Sequence, residues 1–366
     1  MGRAPALLAR LAAASGRSRA CARRWSSEGR ADPPPPRSIM FFASEVAAAV
    51  RLNPFKAPFE VLEDVWRRTC PEQYQSVVDA LSGTGVRVMP AEERARELAA
   101  TTEVGKVLDA ALSDVKRAKG SASVSKLAKQ VTKAVQQTDL DKESQQELSR
   151  YAKSALFTEY GRANESRAIR NYEKASDSTV RDSNVEFFHR TVGQVGGSGG
   201  AGKLPALDVA VGGRIDGLSG DRVVEVKNRI RGLKRRIPVY DVVQLQAYMY
   251  IVGRTAGELV ERVKQRSRGE PTIRTTLIRW DDAFWEQHIR QPLLAFAELV
   301  HYLASNPAAQ RKLLAARSRD EKQEVVHDLE AEALEESSAR AMLEEELGER
   351  EHVGGGSASA GEGVKA

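Results

Sequence analysis

Gly213-Arg214-Ile215-Asp216-Gly217, followed after a short turn by Val223-Val224-Glu225-Val226-Lys227, decides the fold of this 366-residue chain. The β-branched run at 223–226 predicts a strand. Ser219-Gly220-Asp221 predicts the turn joining it, as a hairpin, to an alternating strand over residues 207–215. Successive side chains of a strand alternate between faces, so Glu225 and Lys227 share one. Asp216 then joins them at the edge of the sheet. Two carboxylates beside a lysine supply the hard oxygen ligands that suit Mg²⁺, with an ammonium to steady charge around an activated water. The other reading of these residues is a cross-strand salt bridge on a solvated hairpin.

An acid, any residue and a lysine recur at Asp114-Val115-Lys116 and Asp320-Glu321-Lys322, but both lie in polar, helix-like sequence. A third carboxylate comes from the helix predicted over residues 161–174. There Glu165 falls with Ala168, Ile169 and Tyr172 on an i, i+3, i+4, i+7 stripe facing the core. Burying an unpaired carboxylate is costly, so Glu165 is expected to meet either a basic side chain or a metal shared with Asp216. Gln246 falls beside the apolar face of Val242, Leu245 and Met249 on a helix predicted over 238–252, where its amide needs hydrogen-bond partners. Between strand and helix lie Arg229, Arg231, Lys234, Arg235 and Arg236, with no acid from Val226 through Val239. Such a run is either a phosphate-contacting loop or a solvated one.

With 41% hydrophobic residues and a formal net charge of +6, the chain can bury a sizeable core and favours a polyanionic partner. Residues 317–351 carry thirteen acidic and five basic side chains, so the remainder is more basic than the total shows. Cys21 and Cys70 form no paired spacing, and the five histidines, His189, His288, His301, His327 and His352, follow no zinc-ligand pattern. No window approaches roughly 18 consecutive apolar residues, so neither a membrane span nor a membrane partner is expected. Residues 1–27 hold six arginines, many alanines and serines, and no acid, the composition of an organelle transit peptide. The mitochondrial matrix is the first expectation and a plastid the alternative.

The proline run at 33–36 makes residues 28–37 a stiff linker, and the folded body is expected over 38–304. Ser44-Glu45 precedes an Ala-rich helical turn, Asn53-Pro54 breaks it, and Pro58 opens a helix with Phe59, Leu62, Val65 and Trp66 on one face. Residues 91–153, rich in Ala, Lys, Glu and Gln, predict two or three surface helices. Strands are predicted over 185–192 and 272–280, a flexible glycine loop at 196–200, and a closing helix over 282–303. Residues 305–366 are expected to form an acidic, solvated helix and then a disordered Gly/Ser-rich end.

Taken in order, these motifs resemble the phage-type exonucleases of the YqaJ and lambda exonuclease group, within the PD-(D/E)XK nuclease superfamily. Ser44-Glu45, Leu52-Asn53-Pro54-Phe55-Lys56 and Pro58-Phe59-Glu60 are similar to that group's entry signature. The helix carrying Gly161, Glu165 and Tyr172 is similar to its glycine-to-glutamate motif, and the segment from Gly213 to Leu218 to its aspartate motif. Glu225-Val226-Lys227 matches the acid and lysine pair, and Gln244-Leu245-Gln246 with Tyr248 the glutamine helix. The resemblance implies an α/β fold with a PD-(D/E)XK restriction-endonuclease-like core, a mixed sheet flanked by helices. It implies a DNA exonuclease dependent on Mg²⁺, with Mn²⁺ as a substitute and two ions per site; with the address expected from residues 1–27, its service is expected in organelle DNA recombination, repair or maintenance.

By the same resemblance, Asp216, Glu225 and the Val226 carbonyl would hold one ion, while Glu165 would organise the side of the second. Lys227 would orient or deprotonate the water, Gln246 would hold the lysine or the substrate end, and Ser44 with the basic loop would contact DNA. Ile215 stands where the superfamily has proline, a residue that does no chemistry. Ser44 lies 121 positions before Glu165, longer than the family spacing, which makes residues 91–153 an inserted helical region. Homo-oligomerisation stays open, as do a structure-specific endonuclease and a non-catalytic nucleic-acid-binding or assembly protein on the same fold.

Overall fold

Ile39 and Phe41 alternate with more exposed neighbours and are buried, which makes Ser38–Phe42 a first strand, β1. The computed structural model describes residues 38–86, 88–118, 120–196, 206–264 and 269–354, with side chains through residue 336. The leader and linker expected at 1–37, most of the expected glycine loop, and the Gly/Ser-rich end beyond 354 lie outside the described residues. A short helix, α1 (Ala43–Ala49), follows β1 directly. Prolines in their first turns start α2 (Pro58–Thr69) and α3 (Pro71–Ser82), where a missing N–H costs nothing.

Four helices come next, one more than the upper sequence expectation: α4 (Ala91–Ala100), α5 (Val104–Arg117), α6 (Ser121–Gln136) and α7 (Lys142–Ser176). Leu108, Val115, Val124, Val131, Leu148, Leu156 and Tyr160 give them a core of their own. The 35-residue α7, capped by Asp141, outruns that core. Its second half lays Ala168, Ile169 and Tyr172 on Val224, Val226 and Val260 of a sheet, so one continuous helix carries Glu165 from the helical region to the strands.

Strands β2 (Phe188–Val195) and β3 (Leu207–Gly213) complete a three-stranded sheet in which β3 is central, parallel to β1 and antiparallel to β2. Strands β4 (Gly217–Ser219), β5 (Arg222–Arg229), β6 (Ala256–Val263) and β7 (Thr272–Arg279) form a second sheet in that order. Its β5 and β6 are parallel, a pairing that needs a crossover, which α8 (Val239–Val252) provides. Both sheets are therefore mixed and flanked by helices.

One expectation about these strands is corrected. The hairpin partner of β5 is β4, pairing Gly217 with Val224, whereas β3 belongs to the other sheet. The chain turns from one sheet to the other at Arg214-Ile215-Asp216, which leaves Asp216 at the edge where β4 begins. Strand β6 had no sequence expectation because Glu258, Glu261 and Arg262 interrupt its apolar run. All three are buried and bonded, Glu258 to Arg222 at 2.6 Å, Glu261 to Arg229 at 2.8 Å and Arg262 to Asn171 at 3.1 Å.

The closing helix starts at Asp282–Phe284, passes through a π-helical segment, Trp285–Arg290, and continues as α9 (Gln291–Ser305). Pro292 lacks an N–H and crowds the carbonyl four residues back, and the wider π turn accommodates it. Beyond α10 (Pro307–Ala315) runs α11 (Arg319–Gly354), and here the solvated-helix expectation is corrected. Val326, Leu329 and Ala333 enter the main core, and Lys322 pairs with Glu63 at 2.6 Å. Among the described residues no helix is long and apolar enough to cross a membrane.

Candidate active site

Alternation along β5 turns Val224 and Val226 towards α7 and leaves Glu225 and Lys227 on the α8 face. Asp216 precedes the Gly217–Val224 pair, which puts it across from Glu225 in the extended register. Its carboxylate accepts the Val226 N–H at 2.8 Å. Glu225, only 2% exposed, receives the Lys227 ammonium on Oε1 at 2.6 Å, while its buried Oε2 has no hydrogen-bond partner. An orphaned, buried carboxylate oxygen is costly unless a cation completes it.

Lys227 is fixed from behind. It donates to Gln244 Oε1 at 2.9 Å and lies 3.9 Å from Asp241, and Gln244 donates to the Tyr248 hydroxyl at 3.2 Å. Gln246, expected at the lysine, instead donates to the Arg279 carbonyl at 2.8 Å and accepts the Asp281 N–H at 3.3 Å. The reason is helical phase, since residues two apart point roughly 200° apart and only one of the two glutamines can face Lys227. Arg229 is corrected as well. Its guanidinium is spent on Asp241 at 2.5 Å and Glu261 at 2.8 Å, so it braces the site and does not join a phosphate-facing loop.

Glu165 reaches the same place from α7, half-buried rather than in the core, with Asn164 the fully buried neighbour. Its carboxylate accepts a hydrogen bond from the Asn184 side chain, which also bonds Asp216. Asn184 is held in the left-handed region at φ 54°, its N–H on the Ile215 carbonyl at 3.0 Å. Asparagine tolerates that conformation better than most residues. The three carboxyls feel one another. Burial pushes Glu225 up to about 8, with Asp216 adding to the rise and Lys227 opposing it. Burial likewise pushes Asp216 up to about 6 against Lys227 and the Val226 amide. Glu165 is raised by burial and then by Glu225. Burial alone would lower Lys227, but Glu225 and Asp241 outweigh it and hold the ammonium above its ordinary value.

Among the described residues no three His, Cys, Asp or Glu side chains close into a ready-made cation cage. Mg²⁺ does not need one, because it keeps several waters and takes one or two carboxylates together with substrate oxygens. The unpartnered Glu225 oxygen beside Asp216 fits such an ion. Both carboxyls titrate above their ordinary values of 3.8 and 4.5. The stability they contribute is thus complete below those values and is lost as pH rises through about 6 and about 8. Lys227 stays charged across that window and adds a constant. Metal-free protein is expected to melt at a lower temperature at pH 8 than at pH 5, and Asp216→Asn to recover a few degrees of the loss. Calorimetry in EDTA checks this, and an unaltered pH profile in the variant contradicts it.

Ser44 is exposed on α1, whose first residue, Ala43, adjoins Gly213 and Tyr248 near the cleft, and no contact places the hydroxyl at the acids. Arg231, Lys234, Arg235 and Arg236 are exposed on the loop before α8. The Val226 amide, not its carbonyl, makes the contact with Asp216. Sequence reading missed Asn184 and Asp241, and it gave the place at the lysine to Gln246 rather than to Gln244 of the same motif. Asp241 was the more accessible of the two missed, as the one acid in an otherwise apolar α8.

No protein-family model and no curated protein matches the chain. Among solved structures, the chain is similar to SSO0001 at 19% identity and a TM-score of 0.27, covering 44% of this chain and 66% of that one. It is also similar to the alkaline exonuclease LHK-Exo from Laribacter hongkongensis, at 16% identity and a TM-score of 0.23, covering 61% of this chain and 87% of that one. LHK-Exo in complex with dAMP gives 17% identity and a TM-score of 0.22, over 64% and 93%. Likeness at that level decides neither family nor activity, and the chemistry of the cleft is read from its own side chains.

Proposed function

We propose that the chain is a divalent-metal-dependent nuclease that hydrolyses phosphodiester bonds of DNA from an end, on a PD-(D/E)XK-type core built from the two sheets and the helices packed on them. The observation that carries this reading is the buried Glu225 carboxylate with an orphaned oxygen, beside Asp216 and clamped to Lys227. Asp216 and Glu225 would hold Mg²⁺ or Mn²⁺, with Glu165 on the side of a second ion. A cation bound there supplies Lewis-acid charge and an activated water.

The protein's own groups do the rest. Lys227, kept cationic by Glu225 and Asp241, presents a donor to charge developing on the phosphoryl oxygens, a role that suits a raised pKa better than proton abstraction. Gln244 fixes its rotamer, and the Arg229–Asp241 and Arg229–Glu261 pairs stiffen the strand and helix that carry it. Asn184 holds Glu165 towards Asp216. The exonuclease mode and an organelle address rest on the motif resemblance and on the arginine-rich residues 1–27.

The test is release of nucleotides from end-labelled linear DNA by purified protein, with closed circular DNA alongside. Cleavage of the linear form that needs Mg²⁺ and stops in EDTA is expected. Cleavage indifferent to EDTA, or none of either substrate, contradicts the reading, and equal cleavage of the circle replaces the exonuclease with an endonuclease.

A further inference from the structure

Residues four apart on a helix lie one above the other, so α8 presents Tyr240, Gln244 and Tyr248 as a stripe along the cleft. Gln244 in the middle holds Lys227. Tyr240, at the start of the stripe, feels the charges of Asp241, Arg229 and Lys227. Against it stands Phe55, with ring centroids 5.7 Å apart and planes at 79°. Phe55 is 70% exposed, and Val239 beside Tyr240 is 41% exposed.

A single exposed apolar residue is common on protein surfaces. Here the loop that holds Phe55 out is fixed. Its N–H donates to Asn53 Oδ1 at 2.9 Å, Lys56 donates to Asp64 at 3.2 Å, and Arg51 turns the chain with φ 61°. An aromatic face is thus held in water against Tyr240, one helical turn from the glutamine that holds Lys227. The exposed cations Arg231, Lys234, Arg235 and Arg236 occupy the loop leading into Tyr240. Cations that follow a phosphate backbone, with aromatic faces beside them, form the arrangement that binds unpaired nucleotides. Inside a duplex both faces of each base are already stacked, so along a strand it is unpaired bases that can use these rings.

We propose that Phe55 and Tyr240 form a stacking site for an unpaired nucleobase, so that the cleft takes its polynucleotide as a single strand. The inference rests on the nuclease reading for what the cleft does, but binding tests it separately from cleavage. Fluorescence anisotropy of a labelled oligodeoxythymidylate of about 20 nucleotides is measured with full-length protein in EDTA, and a blunt duplex of the same length is measured in parallel.

Phe55→Ala and Tyr240→Ala are each expected to weaken single-strand binding by about five- to hundredfold, while Phe55→Trp retains it. Duplex binding is expected to change by less than about twofold, because phosphate contacts remain. The exposure of Phe55 makes its truncation mild for folding, and melting temperatures verify that. Unchanged single-strand binding in both alanine variants overturns the proposal and leaves the patch to another partner such as a protein. Equal losses on single strand and duplex overturn it too. If stacking is lost in these variants while Asp216→Ala still cleaves like wild type, the nuclease reading fails and the stacking site stands. The reverse pattern removes the stacking site alone.

Discussion

Asp216→Ala is expected to lower metal-dependent cleavage of linear DNA by about a thousandfold or more, with the protein still folded. The side chain does little for the fold. Its one backbone partner is the Val226 N–H, and it keeps partial solvent access at the turn between the sheets. A lost hydrogen bond of this kind costs about 1 kcal/mol, and removal of a carboxyl raised by burial offsets part of that. For the chemistry the loss is different in kind, because Asp216 and Glu225 would share the ion and one carboxylate leaves the cation weakly held. Glu165→Ala is expected to act in the same direction and less severely, since that side chain is half-buried and is held through Asn184. Initial rates at saturating Mg²⁺, with melting temperatures alongside, check both variants. A folded Asp216→Ala protein that cleaves at the wild-type rate contradicts the catalytic assignment.

Removing the chain from Arg319 onwards is expected to leave a protein that fails to fold or melts more than about 10 °C lower. The acidic helix α11 is part of the core. Val326 and Leu329 are fully buried, and Ala333 nearly so. Lys322 reaches the nearly buried Glu63, Glu330 pairs with Arg51, and Glu332 accepts from the Tyr302 hydroxyl at 2.9 Å. Truncation uncovers that apolar patch and strands charges that are now paired. The point substitution Leu329→Ala isolates the packing contribution, at about 2–5 kcal/mol. Urea unfolding followed by circular dichroism measures it. A variant with wild-type stability would mean that the helix merely rests on the surface.

The acid and lysine pair was legible because a period of two needs only a β-branched run to fix which side chains share a face, and residues 223–226 provide one. Glu165 was legible only in part, because the core-facing stripe of Ala168, Ile169 and Tyr172 takes Asn164 and leaves Glu165 half-buried at its edge. The choice between Gln244 and Gln246 was not, because α8 is apolar almost all round and gives the eye no polar face from which to set the phase. Strand β6 hid behind Glu258, Glu261 and Arg262, whose partners lie far away in sequence and become visible only in three dimensions. Val326, Leu329 and Ala333 form an i, i+3, i+7 stripe in the acidic helix, but the many acids around them masked it. Asn184 could not be found from sequence at all. Its contacts depend on a left-handed backbone in a loop that reads as any polar turn.

The most direct measurement is the position of Mn²⁺ in crystals of the full-length protein soaked with that ion, located by its anomalous scattering. The expected result is a peak at about 2.1 Å from a carboxylate oxygen of Asp216 and from the unpartnered Oε2 of Glu225, with Lys227 kept on Oε1. Peaks only elsewhere on the molecule at millimolar Mn²⁺ would contradict the metal-dependent site.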